Sequence, residues 1–399
     1  MFLLVGVSIR ALMESAGESG YPVRGIDFFA DLDSCRWGKT MSIVKDFGLA
    51  PSIDLLLEVA QKQPCEGLIY ASGLENHSAG LNFWEERGLL IGNKVSVLDQ
   101  VRDPWKLRQS LAKTEARMPE FHRLRDWDPD TQGKIMLLKP LDGGGGRRIK
   151  VLSQEKAAAQ GLISVLQNSN RYVIQEYISG FSASVTFLTD GQRTEILGTS
   201  RQLTVKQGEF NFIYAGNIVP FETSLISEIL DIFEERLWRI CSHLSTAFHL
   251  KGINTMDFVV NSKGIWVLEV NPRWSASVEL IERWRGERLF ARHLAACQAN
   301  KRSLPFDKNK DRPNQNRSGF WGKCIVYARS SFQAKYGLDL SFLYEQGVRD
   351  IPAAGTKIEK GEPICTVISP AASDAGCLRN LQLKAEWARR FFGDLNHDT

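Results

Sequence analysis

The sequence predicts a multidomain protein of mixed α/β and α+β class: an open α/β unit, an α+β middle portion of two parts, and a small β unit. Three observations carry that reading. At 399 residues the chain exceeds what one core of ordinary size takes, so two or three domains are expected. Over residues 1–95, short apolar runs alternate with amphipathic stretches, the pattern of an open α/β sheet. Beyond them, apolar runs joined by tight turns surround one long amphipathic helix, and a polar stretch at 301–318 with Pro305 and Pro313 sets off the last segment. The boundaries expected are 1–95, 96–300 and 319–399.

Each element has its own warrant. Phe2–Val7 is a buried first strand ending in a Gly6–Val7–Ser8 turn, and Ile9–Ser15 has helical spacing. Gly25–Phe29 is a second strand, followed by an acidic loop with Asp31 and Asp33. Ile53–Gln63 is an amphipathic helix, and Gly67–Tyr70 is a third strand leading into Ala71–Asn76. Ligands in open sheets bind beyond the carboxyl ends of the strands, so the Ser8 turn, the Asp31 loop and the Glu75–Asn76 loop are expected on one rim. Val95–Arg117 reads as helix with a break near Asp103–Pro104. Ile135–Lys139 and Tyr172–Tyr177 read as strands, and Ser184–Thr189 and Thr194–Thr199 pair across the turn Asp190–Gly191. Leu225–Leu250 is the long helix, and Gly252–Val260 with Gly264–Val270 forms a hairpin around Asn261–Lys263. Gly322–Ala328 and Pro363–Ile368 are strands of the terminal unit, and the chain ends in a helix.

Composition narrows the function. A net charge of +4 spread over both signs falls short of the basic bias of a nucleic-acid binder, while leaving room for a local basic cleft. No apolar run approaches the ~18 residues of a membrane span. The opening MFLLVGVSIRAL lacks a basic leader, and polar or small residues break it at Gly6, Ser8 and Arg10, so it reads as a strand rather than a secretion signal. The seven cysteines are odd in number and scattered without a CxxC pair, which favours a reducing compartment over a disulfide or zinc framework. A cytoplasmic protein without nucleic-acid or membrane partners is the expectation, with a homodimer as the commonest soluble assembly.

Two motifs carry chemistry. In Lys139–Pro140–Leu141–Asp142–Gly143–Gly144–Gly145–Gly146, four glycines can bring bare backbone N–H groups to phosphate oxygens. Lys139, at the end of a strand, can place one charge on the phosphates. The loop is neither a Walker loop nor a GxGxxG fingerprint. In the later hairpin, Asp257, Glu269 and Asn271 put hard oxygen donors inside apolar runs, where an unpaired carboxylate is costly. Glu269 and Asn271 share a face and Asp257 can sit opposite, a donor set suited to Mg²⁺ with phosphate oxygens. Arg273 follows with a forked donor pair. No nucleophile triad is legible, and the six histidines have no metal spacing.

Lys106, Lys139 with its glycine loop, Gln175–Glu176–Tyr177–Ile178–Ser179–Gly180, Asp257 and Glu269–Val270–Asn271–Pro272–Arg273 occur in an order and spacing that resembles the ATP-grasp superfamily over residues 95–295. Within it the chain resembles predicted carboligases related to biotin carboxylase. The resemblance implies that Lys106 and Lys139 contact nucleotide phosphates. Glu176, Tyr177 and Ile178 would hold adenine. Asp257, Glu269 and Asn271 would hold two Mg²⁺, with Mn²⁺ as the alternative ion. Arg273 would stabilise the transferred phosphate, and Arg201 would face the γ-phosphate or the substrate carboxylate. Where the family commonly has an acidic ribose-binding residue, this chain has Ser182. The implied activity is an ATP-dependent carboxylate–amine ligase working through an acyl phosphate, with a small-molecule acid and amine as substrates. An ATP-grasp carboxylase, a phosphotransferase and a non-catalytic nucleotide-binding protein are the alternatives.

Overall fold

The first apolar runs build a parallel sheet in the computed structural model, which describes residues 1–127, 134–152, 171–223, 230–298, 319–335 and 339–393. Strands β1 (Phe2–Val5), β2 (Val23–Asp27), β3 (Gly38–Ser42), β4 (Gly67–Tyr70) and β5 (Leu90–Ile91) lie in the order β3-β2-β1-β4-β5, all parallel. Helices α1 (Arg10–Glu18) and α2 (Ile53–Gln61) cross over between strands. Leu3, Leu4, Val5, Ile26, Leu68 and Ile69 are all buried, as strands covered on both faces require. Parallel pairing puts the turns after β1, β2 and β4 on one rim, with a switch point at β1.

A smaller sheet follows. Helices α3 (Val95–Val101) and α4 (Pro104–Leu111) are separated at the expected break, and the helix ends at Leu111 rather than Arg117. The break falls at Asp103, whose carboxylate caps the N–H of Trp105 (2.8 Å) and Lys106 (3.2 Å) ahead of Pro104 in the first turn. Strands β6 (Phe121–Arg123), β7 (Met136–Pro140), β8 (Lys150–Val151) and β9 (Tyr172–Glu176) pair antiparallel in the order β6-β9-β7-β8.

The largest sheet has eight strands. It contains β10 (Phe181–Thr189), β11 (Thr194–Gln207), β12 (Phe210–Val219), β13 (Gly252–Asn261) and β14 (Gly264–Asn271). The C-terminal strands are β15 (Phe320–Tyr327), β16 (Phe332–Gln333), β17 (Val348–Arg349), β18 (Lys357–Ile358) and β19 (Pro363–Ala371). The order is β14-β13-β10-β11-β12-β15-β19-β17, with β16 and β18 as a separate ladder. The terminal β unit is therefore joined edge-on to the central sheet through β12 and β15. Helix α5 (Leu230–Phe248) buries Leu237, Ile240, Cys241, Leu244 and Phe248, at helical spacing, with Val185, Phe187, Met256 and Phe258 of the sheet. Each such side chain contributes about 1.5–3 kcal/mol on burial. Helices α6 (Val278–Arg285) and α7 (Phe290–Gln298) follow the hairpin, and α8 (Asp374–Phe392) closes the described chain. The expected first turns of the long helix at 225–229, and the polar stretch 301–318, lie outside the described residues. No described helix is long and apolar enough to cross a membrane.

Charged residues join these layers behind the rim. Arg10 of α1 is buried and donates through Nη1 and Nη2 to both carboxylate oxygens of Glu279 on α6, the second at 2.8 Å. It also reaches Glu14 (3.0 Å) and Asp350 (3.0 Å). Lys323 of β15 lies 3.5 Å from Glu279. Glu14 in turn is met by Arg283 (2.8 Å) and Arg288 (3.2 Å).

Candidate active site

Asp257 and Glu269 are directly paired residues on β13 and β14. A bulge follows at once: Phe258 pairs with Val267, leaving Leu268 without a partner across the ladder. A bulge lets two consecutive residues turn to one side. Leu268 and Glu269 accordingly both line a cleft. Its other walls are Val101, Arg102, Pro104 and Leu107 from the α3–α4 corner and Lys139, Val173 and Gln175 from the small sheet. One end is apolar and the other strongly charged.

At the charged end Lys139 Nζ lies 2.9 Å from Glu269 Oε2, and Arg102 Nη1 lies 3.7 Å from the same oxygen. Arg102 Nη2 donates to Asn76 Oδ1 (3.0 Å), and Asn76 Nδ2 donates to the carbonyl of Gly143 (3.3 Å), tying the rim of the first sheet to the glycine loop. Arg102 Nε is buried with no hydrogen-bond partner among the described residues. A buried N–H left in that state calls for an acceptor, and a phosphate oxygen supplies one.

Asp257 accepts from Asn271 Nδ2 (2.9 Å) and from Gln202 Nε2 (2.8 Å). Burial and the facing charge of Glu269 push the Asp257 carboxyl up to about 7. Burial also acts to raise Glu269, but Lys139 and Arg102 outweigh it and bring that group down to about 2. Two carboxylates held opposite each other, one with its proton affinity raised by the other, form a site that a cation relieves. With the Asn271 amide they supply hard oxygen donors, so the residues present fit Mg²⁺. Arg273 is fixed by Glu75, which is buried and accepts from its Nε at 2.7 Å. Glu75 is itself oriented by the N–H of Gly73 (2.6 Å).

The glycine loop is held at two points. The carbonyl of Gly145 accepts from the N–H of Tyr214 on β12 (2.9 Å), and Tyr327 donates through its hydroxyl to the Tyr214 carbonyl (2.7 Å). Gly146 has φ +70°, and a Cβ there would sit 1.7 Å from the carbonyl oxygen of Phe212. Only glycine fits that approach.

The remaining expected residues fall in different places. Lys106 is exposed on α4 and does not line the cleft; Arg102, unrecognised in the sequence, stands there instead. Arg201 points away from Asp257. Residues alternate along β11, so Gln202 reaches Asp257 while Arg201 bonds Asp374 at the start of α8 (2.5 Å). Glu176 is half-buried near Lys134 (3.7 Å), Tyr177 is exposed against Phe212, and Ile178 and Ser182 are half-buried. Of the segment 175–178, the cleft wall uses Gln175.

A sequence model for the ATP-grasp domain matches residues 101–277. That stretch is an ATP-grasp domain. The match includes Arg102, Lys139, the glycine loop and all three metal-binding candidates on the hairpin. An uncharacterized protein, MJ0776, of Methanocaldococcus jannaschii is 24% identical over 380 residues, spanning 92% of this chain and 87% of its own length. The fold matches biotin carboxylase of Campylobacter jejuni with TM-score 0.69 and 14% identity, covering 99% of this chain and 95% of that one. It also matches L-amino acid ligase from Bacillus licheniformis with TM-score 0.66 and 14% identity, covering 96% and 97%. The likeness in fold thus runs over nearly the whole chain, beyond the matched stretch.

Proposed function

We propose that this chain is an ATP-dependent carboxylate–amine ligase that forms an amide through an acyl phosphate, adding an amino acid to a small molecule or cofactor precursor. The observation that carries the reading is the directly paired Asp257 and Glu269, with Lys139 and Arg102 facing Glu269 at the charged end of the cleft and Asn76 tying Arg102 to the glycine loop. In this reading residues 96–300 bind nucleotide and 1–95 present a substrate rim.

The apolar end of the cleft takes the base, between Leu268 on one wall and Val101, Leu107 and Val173 on the other. Lys139 and Arg102, which face Glu269, turn to the phosphates when ATP enters. Asp257, Glu269 and Asn271 are the residues that would hold two Mg²⁺, which neutralise phosphate charge when bound. A substrate carboxylate oxygen attacks the γ-phosphorus, and the bond from that phosphorus to the ADP oxygen breaks. Arg273, positioned by Glu75, meets the transferred phosphate. An amine nitrogen then attacks the acyl carbon, the bond from that carbon to the phosphate oxygen breaks, and the nitrogen loses a proton. The glycine loop, anchored through Tyr214, keeps water off the acyl phosphate. The likeness in fold to L-amino acid ligase supports this chemistry. A cytoplasmic homodimer completes the proposal.

The test is ADP and phosphate release with Mg²⁺ across pools of carboxylic acids, with and without amines, in wild type and Glu269→Ala. Release that needs both an acid and an amine and vanishes in the variant supports the ligase. Release with bicarbonate and no amine selects a carboxylase instead.

A further inference from the structure

Away from the nucleotide cleft, four carboxylates crowd the rim where β2 meets the C-terminal strands. Asp27 is fully buried and accepts from the N–H groups of Ile9 (3.2 Å), Phe29 (2.9 Å) and Ala30 (2.7 Å). Asp33 spends both oxygens on the N–H groups of Asp350 (3.0 Å) and Ile351 (2.9 Å). Asp350 accepts from Arg10 Nε (3.0 Å), which also passes 3.6 Å from Asp33.

Asp31 differs from the other three. It is 6% exposed, and among the described residues its carboxylate has no hydrogen-bond or ion-pair partner; only its backbone carbonyl is used, by Ser34. Burial comes first in raising its pKa well above the usual range, followed by the charges of Asp350, Asp27 and Asp33. Lys45 opposes them, but its Nζ is committed to the carbonyl of Phe29 at 2.6 Å. Arg10 cannot supply the missing charge, because Glu14 and Glu279 share its guanidinium. A buried carboxylate in this state is costly unless something joins it.

The free acceptors say what joins it. With Asp27 and Asp33 saturated by backbone N–H groups, Asp31 and part of Asp350 remain. That leaves most of the 6–8 ligands of a calcium ion, or of the octahedron of magnesium, to water, so the set is a poor cage for either ion. It suits an ammonium group, which needs one or two direct acceptors inside a negative field. The rim is shared with Glu75, which fixes Arg273 at the phosphate end of the site.

We propose that this carboxylate cluster anchors an ammonium group of the acceptor substrate, with Asp31 as its direct partner. The proposal rests on the ligase reading of the cleft. An ammonium held against carboxylates stays protonated, so it is not the nitrogen that attacks. The acceptor class is therefore a compound with two amino groups, one anchoring and one reacting.

The experiment uses the full chain with 1,4-diaminobutane, propylamine and Mg²⁺ as separate probes. Thermal shift and calorimetry compare wild type with Asp31→Asn, and binding of AMP-PNP with Mg²⁺ is followed in parallel. The diamine should bind wild type saturably and more tightly than propylamine. Asp31→Asn should weaken it by roughly tenfold or more, the effect of losing one charge-assisted contact, with AMP-PNP binding unchanged. Ligand-free Asp31→Asn should also melt higher than wild type, because an unpartnered buried carboxylate has gone; a purely structural aspartate would melt lower. Equal diamine binding in both proteins, no diamine binding by wild type that binds AMP-PNP, or an Asp31-dependent response to Mg²⁺ alone would each overturn the proposal. Asp31-dependent diamine binding by a protein that fails to bind AMP-PNP would support the anchor and overturn the ligase reading.

Discussion

Replacing Glu279 by glutamine tests the charged junction that holds the three layers together. Glu279 is 2% exposed and receives two hydrogen bonds from Arg10, with Arg283 at 3.4 Å and Lys323 at 3.5 Å. The substitution keeps the volume but leaves Arg10 and Lys323 buried without that carboxylate. Breaking a buried pair in this way costs about 3–5 kcal/mol. With an unfolding entropy of about 2 cal/mol/K per residue, a chain of this length should melt about 4–6 °C lower. The pH dependence has a defined sign. Burial acts to raise the pKa of Glu279, but Arg10 and then Lys323 overcome it and hold the group well below the ordinary range. A folded-state pKa depressed below the unfolded value gives stability that is complete above the ordinary glutamate range and lost as pH falls through the folded value. The gap between variant and wild type should therefore be constant near neutrality and close only below about pH 4. Scanning calorimetry across pH reads both quantities. Adding Lys323→Met to the variant should restore part of the loss, since one stranded cation is removed. A melting point within about 1 °C of wild type at neutral pH would refute the reasoning.

Further outcomes follow from single features of the site. Arg102→Ala should weaken nucleotide binding roughly tenfold or more, while Lys106→Ala, on an exposed face, should leave it nearly unchanged; calorimetric titration with ADP and Mg²⁺ separates them. Gly146→Ala should displace the glycine loop, because its Cβ has no room beside Phe212, and weaken ATP binding without a large fall in melting temperature. Burial drives the pKa of His293 down to about 4, and its Nδ1 accepts from the N–H of Ile253 at 3.0 Å. The neutral ring is favoured in the folded state, so this contribution is present above the unfolded histidine pKa of about 6.5 and is lost as pH falls from there towards the folded value. Melting curves between those limits should slope less in His293→Gln than in wild type.

The fold was legible where burial writes a pattern. The continuous apolar runs of β1 and β4 and the hairpin of β13 and β14 could be read because both are covered on both faces or carry carboxylates in apolar runs. The far half of β11 and most of β12 could not. Residues 204–206 are exposed, and pairing with β12 rather than burial holds them extended. At the site, Asp257, Glu269, Asn271, Lys139 and the glycine loop announced themselves by chemistry; the structure pairs Asp257 with Glu269, sets Asn271 on Asp257 and Lys139 on Glu269, and ties the glycine loop to Arg102 through Asn76. Arg102 gave no such signal, since an arginine ending a helix is ordinary in sequence and only the fold turns it onto Glu269. Strand alternation could have separated Gln202 from Arg201, given the pairing of Ser184 with both Ser200 and Asp257. That pairing is long-range and is not written in any local pattern. The bulge that turns Leu268 and Glu269 to the same side was hidden for the same reason.

The central claim is that the hairpin carboxylates and Lys139 bind nucleotide phosphates together with Mg²⁺. Calorimetric titration with AMP-PNP, with and without Mg²⁺, in wild type, Glu269→Ala and Lys139→Ala tests it most directly. The account predicts binding in wild type that strengthens with Mg²⁺ and is lost or severely weakened in both variants while they remain folded. Binding indifferent to Mg²⁺ and to both substitutions, or no binding by folded wild type, would contradict it.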